Sequence, residues 1–98
     1  MNFIETRGND KNKPSSVTFS QAILAPIASF GGLYVPKTLP SLGEEFLNKH
    51  LNSSYKELAF DMLSHFEIDI EDEVIHEALA LYDKFDNAKN PVPVVKVK

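Results

Sequence analysis

Between Tyr55 and Phe66 the apolar residues Tyr55, Leu58, Ala59, Met62, Leu63 and Phe66 recur at intervals of three and four. That spacing gathers them on one stripe of a helix of about three turns and marks the stripe as core. Ser54 and Glu57, just ahead, have the spacing of a capping box, in which a hydroxyl accepts from the amide three residues on and the later side chain reaches back. Thr18 with Gln21 and Ser41 with Glu44 repeat it. The first of these predicts a helix over residues 19–25, stopped by Pro26, which lacks an amide donor and disfavours helical dihedrals at Ala25. The second predicts a helix through "EFLNKHL", with Leu42, Phe46 and Leu47 on one face and Gly43 weakening it by about 1 kcal/mol relative to alanine. A fourth helix, the longest, is predicted with Asp69 as its cap. Glu71, Asp72 and Glu73 complement the positive end of its dipole, and Ile70, Val74, Ile75, Ala78, Leu79, Tyr82 and Phe85 form its buried face.

Strand signals are shorter. "NFIET", "GLYV" and the terminal "VPVVKV" are rich in β-branched and aromatic residues, although Pro91 and Pro93 make the last an edge strand or an extended connector. The stretch from Gly8 to Ser16 has no periodic apolar face and is predicted as a loop. The expected fold class is therefore α+β: a small, mainly helical domain of about four helices with a few short strands.

A chain of 98 residues supports one modest core. Its formal charge of −4 leaves no basic surface for a phosphate backbone, so nucleic acid is not an expected partner. The absence of cysteine removes disulfides, thiolate metal sites and thiol catalysis. No apolar run approaches the roughly 20 residues of a membrane span, and "MNFIETRGND" lacks the form of a secretory signal. A cytoplasmic protein with no membrane partner is the expectation.

Candidate chemistry is sparse. His50, His65 and His76 are far apart in sequence, and Glu73, His76 and Glu77 read as a solvated helix face, so no metal is assigned. The acids from Glu71 to Glu77 are accounted for by the helix dipole, and the serines mostly cap helices. Gly31 and Gly32 have the freedom to cradle a phosphate, but they lead into Leu33-Tyr34-Val35-Pro36 and not into a helix, which favours a turn. Thr6-Arg7-Gly8 is of more interest. A guanidinium at a strand end can donate a fork of hydrogen bonds to a carboxylate or phosphate of a ligand, or pair with one of the chain's own carboxylates. The residues taken alone display no evident active site.

Four segments, "FIETRG", "TFSQAILAPIASFGGLYVPKTLP", "SYKELAFDML" and "ALALYDKF", resemble in order and approximate spacing the amino-terminal domain of the threonine synthases, over nearly the whole chain. Where that family often has Gly-Leu-Ala-Pro-Asp-Gly-Gly, this chain has Pro26-Ile27-Ala28-Ser29-Phe30-Gly31-Gly32, with Phe30 in place of an acid and Pro26 in place of a glycine. The resemblance implies a pyridoxal-phosphate enzyme that converts O-phosphohomoserine and water to threonine and phosphate, the cofactor acting as electron sink. It implies that residues 1–98 are the amino-terminal domain and that the cofactor-binding catalytic region, with its Schiff-base lysine and glycine-rich phosphate loop, lies downstream. Lys96 and Lys98 do not stand in that lysine's motif.

Several expectations follow from the resemblance. The chain alone is inactive and binds no cofactor; its partner is the remainder of the same polypeptide; and Arg7 with Thr6 contacts the anionic substrate. Self-association through exposed apolar surface is expected of the separated domain. Two alternatives stay open. One is a threonine-synthase-like phospholyase acting on another phosphorylated amine. The other is a free-standing helical interaction module, against which the strand-like apolar end "PVPVVKVK" counts.

Overall fold

The computed structural model describes residues 2–7, 16–28 and 31–98. Its elements are β1 (Phe3–Glu5), β2 (Ser16–Val17), α1 (Phe19–Leu24), β3 (Tyr34–Pro36), α2 (Glu44–Lys49), α3 (Tyr55–Ser64) and α4 (Asp72–Ala80), with a 3-10 turn over Leu81–Lys84. Four helices and a three-stranded antiparallel sheet make the expected small α+β fold. No described helix is long and apolar enough to cross a membrane.

The chain divides into two compact units, Met1–Pro40 with Ser64–Ile70, and Ser41–Leu63 with Glu71–Lys98. In the first, β1 is the central strand of the order β2-β1-β3. Phe3 pairs with Val17 on one side and Pro36 on the other, and Glu5 pairs with Tyr34. Pro36 is tolerated because β3 is an edge strand, where a missing amide need not break a ladder. The two-residue alternation of a strand puts Phe3 and Glu5 on the same, buried face. Phe3 there meets Phe19 of α1 with ring centroids 5.6 Å apart.

The α1 capping box forms as its spacing predicts: the Gln21 amide donates to Thr18 Oγ1 at 3.3 Å, and the Thr18 amide donates to Gln21 Oε1 at 2.9 Å. Pro26 stops the helix within one residue of the expected end. Asp69 is not the cap of α4. Glu71 occupies that position without a side-chain bond, while the Asp69 carboxylate accepts from the amide of Ser20 at 2.8 Å and from its hydroxyl at 2.5 Å. These bonds hold its carboxyl below the usual range, the hydroxyl contributing most.

In the second unit, Ser54 caps α3 through a 3.2 Å bond from the Glu57 amide. Ser41 does not cap α2: Gly43 holds the cap position with no side-chain bond, so the helix starts two residues later than Leu42. The α3 stripe is half-buried throughout, and the most buried apolar side chains of this unit are instead Phe46 of α2 and Leu79 of α4. At 10 residues α3 is longer than α4 at 9, because α4 tightens into the 3-10 turn at Leu81. Of the predicted α4 face, Val74, Ala78 and Phe85 are exposed, although Phe85 still packs on Tyr82, and Tyr82 on Tyr55, with centroids 4.8 Å apart in each pair. A hydrogen bond to Tyr82, then burial, raises the Tyr55 phenol above its ordinary pKa.

The terminal "VPVVKV" is not a strand. Its valines have strand propensity but pair with no strand among the described residues, and Pro93 removes one donor. Strand β2, too short for any period to reveal it, lies where the polar loop was expected to end; residues 8–15 of that loop lie outside the described residues.

Thr18→Ala removes the hydroxyl acceptor from the α1 box and is expected to lower stability by about 1 kcal/mol, with Thr18→Ser restoring most of it. Urea unfolding of the three proteins measures the difference, and equal midpoints would show that the box contributes nothing.

Candidate functional site

The residues singled out at the strand end, Thr6 and Arg7, meet the glycine pair. Thr6 extends the β1–β3 pairing by one position. Its amide donates to the carbonyl of Leu33 at 2.9 Å, and its Oγ1 accepts from the amide of Leu33 at 3.0 Å, so the side chain stands in for a main-chain acceptor. Gly32 is buried beneath this clasp. A Cβ there would sit 2.8 Å from Thr6 Oγ1, 3.1 Å from the Arg7 amide nitrogen and 3.2 Å from Arg7 Cγ, closer than a side chain at this position fits. Gly31 has φ of 76°, in the left-handed region, and a Cβ on it would lie 3.4 Å from Arg7 Nη1. The Arg7 side chain thus lies along two residues that have none. It is exposed, and it has interactions within the fold.

The same geometry tests the phosphate-cradle reading of the glycines. The amide of Gly31 donates to the carbonyl of Ala28 at 2.9 Å, and that of Leu33 is held by Thr6. A cradle needs amides free to converge on an anion, and these two are already committed. The glycine pair turns the chain back into β3, with Ala28 donating to the Gly32 carbonyl at 2.9 Å across the turn. Gly8, Ser29 and Phe30 lie outside the described residues.

A second group of polar side chains lies in the other unit, around a cleft of about 650 Å³ whose walls include His50, Ser53, Phe60, Asp61, His76 and Leu79. The sequence reading finds no serine framed by a base and keeps the histidines apart. The structure brings Ser53, His50 and Asp61 into one hydrogen-bonded chain. His50 Nε2 is 2.6 Å from Asp61 Oδ2, and His50 Nδ1 is 2.8 Å from Ser53 Oγ. An ionised carboxylate only accepts, so Nε2 carries a hydrogen and a neutral ring leaves Nδ1 to accept from Ser53. His50 is reached because it ends α2, three residues before Ser53 and 11 before Asp61 on α3.

This chain is better suited to fastening than to catalysis. The Ser53 amide donates to the carbonyl of His50 at 3.5 Å, closing a turn, and Lys49 donates to the same Asp61 oxygen at 3.1 Å. Lys49 at the end of α2 and His50, which caps it, are thereby tied to one carboxylate of α3, and Phe46 packs on the His50 ring with centroids 4.7 Å apart. Bonds from His50, then Lys49, lower the Asp61 pKa to about 2. His76, read as solvent-facing, is exposed but stacks on Phe60 at 4.1 Å and 11°. Among the described residues no three His, Cys, Asp or Glu side chains are grouped to hold a metal ion.

A family profile described as "Threonine synthase N terminus" matches residues 2–81, a span that includes both Thr6-Arg7 and the glycine turn. Among curated proteins, the threonine synthase of Corynebacterium glutamicum is 34% identical over 105 residues, covering 100% of this chain and 21% of its own length. That of Pseudomonas aeruginosa is 38% identical over 66 residues, 67% of this chain and 13% of its own, and that of Schizosaccharomyces pombe 30% identical over 64 residues, 65% and 12%. The chain spans about a fifth or less of the length of these relatives. No solved structure matches it.

Because the folded-state pKa of Asp61 is depressed from 3.8 to about 2, its bonds stabilise the fold above the ordinary carboxylate range, and the contribution is lost as pH falls from about 4 through about 2. Asp61→Asn is therefore expected to be less stable than the parent at pH 6 and to converge with it near pH 2. Denaturant unfolding across that range measures the gap, and a gap independent of pH would remove the ion-pair account.

Proposed function

Because the chain belongs to the threonine synthase family, as its amino-terminal part, we propose that it serves a cytoplasmic pyridoxal-phosphate lyase that converts O-phosphohomoserine and water to threonine and phosphate. The match over residues 2–81 is the observation that carries this reading. Its partner is the remainder of the same polypeptide. Pyridoxal phosphate supplies the electron sink for such chemistry. The glycine turn does not fit the cofactor's phosphate, its Gly31 and Leu33 amides being bonded within the fold, so no step is routed through the cofactor at these residues.

In this reading the chain's own contribution is to binding. The substrate carries a phosphate and a carboxylate, and Arg7 is the exposed cation at the end of the central strand, with the fork geometry that either group accepts. Thr6 joins it. Having accepted from Leu33, its hydroxyl keeps a hydrogen to donate to a substrate oxygen. The apolar side chains that the first unit leaves exposed, Leu24, Leu39 and Ile27 foremost at 85%, 77% and 74%, are surface for the rest of the polypeptide to cover. Separated from it, the same surface promotes self-association.

In the complete enzyme, Arg7→Ala is expected to raise KM for O-phosphohomoserine about ten- to a hundred-fold, the loss of one charge-assisted hydrogen-bonding partner, with a smaller change in kcat. Unchanged KM would remove Arg7 from the site. The 98-residue chain, assayed alone with the cofactor and O-phosphohomoserine, is expected to release no phosphate; measurable turnover would overturn the division of labour.

A further inference from the structure

We propose that the Gly31–Gly32 pair is a positioning element for Arg7: the bare Cα of Gly32 and the left-handed backbone of Gly31 are what let the Thr6–Arg7 strand end settle where its guanidinium serves the substrate. The inference rests on the assignment of Arg7 to substrate binding and goes beyond it, because it gives a binding role to residues that touch no ligand.

Three observations support it. Gly32 is closed to any side chain by Thr6 Oγ1 and by the main chain of Arg7, which lie 2.8 and 3.1 Å from where a Cβ would stand. A backbone atom cannot swing aside as the end of a flexible side chain does, so a methyl group at Gly32 displaces Thr6 and Arg7 themselves. The displacement acts on a short lever, since Thr6 is fastened on both its amide and its hydroxyl to Leu33, the residue after Gly32. Gly31 contributes conformation and not clearance: its φ of 76° is in the left-handed region, while a Cβ on it would meet Arg7 Nη1 at 3.4 Å, an ordinary contact. A turn that served only to reverse the chain would need one residue at positive φ; it would not need the second glycine cleared against Arg7.

The test uses the complete enzyme and compares Gly32→Ala, Gly31→Ala and Arg7→Ala, each alone, with each glycine variant also combined with Arg7→Ala. Readouts are KM and kcat for O-phosphohomoserine, the inhibition constant of inorganic phosphate, and thermal stability. Gly32→Ala is expected to raise KM about ten-fold or more, and Gly31→Ala less, with kcat within about two-fold. In the Arg7→Ala background neither is expected to raise KM further, whereas a loss of fold alone would add to it. If Gly32→Ala does not fold, the milder Gly31→Ala decides by the same comparison. KM unchanged in the glycine variants while Arg7→Ala raises it sinks the positioning role and leaves the Arg7 assignment standing. Effects that add in the double variants sink it as well. No effect of Arg7→Ala removes the assignment and the inference together.

Discussion

The clasp between Thr6 and Leu33 organises the first unit. A three-residue central strand has few ladder bonds of its own, and the threonine adds one main-chain and one side-chain bond at its end. Those bonds bring the strand end down on the turn that feeds β3, and the approach is so close that only glycine fits at position 32. Strand, turn and arginine are therefore one device. The register of β1 against β3, the left-handed residue at Gly31 and the course of the Arg7 side chain meet at that one close approach.

Elsewhere the chain uses carboxylates as tertiary ties. Asp69 binds both the amide and the hydroxyl of Ser20, 49 residues earlier in sequence, and so anchors the segment after α3 to the start of α1 within one unit. Asp61 collects Lys49 and His50 and so joins α2 to α3. Hydrophobic burial is thin in both units: among the described residues the buried apolar side chains are Phe3, Ala28, Phe46 and Leu79, and none of them is wholly closed to solvent. With so little apolar area removed from water, directed bonds carry more of the task of specifying one arrangement.

These ties explain where reading by local rules goes astray. Asp69 has the composition and place of a helix cap, but a cap bond is weak enough for a distant amide and hydroxyl to outcompete it. The valines near the end have strand propensity, yet propensity for strands depends on a neighbour to pair with. Ser53, His50 and Asp61 carry no sequence motif. The i, i+3 spacing of histidine and serine at the end of α2 was the one local sign, and the aspartate comes from the next helix.

The order of residues alone was enough to specify α1 and α3 with their hydroxyl caps, the stop at Pro26 and the family to which the chain belongs, because caps and prolines act within four residues and a family signature lies along the chain. It also marked Thr6, Arg7 and the two glycines, but as separate features. That the glycines are the floor under the arginine followed only from folding, since Gly32 stands 25 positions after Arg7 and no periodicity spans that distance. Contacts of that kind are set by which strand pairs with which, and a strand of three residues does not advertise its partner.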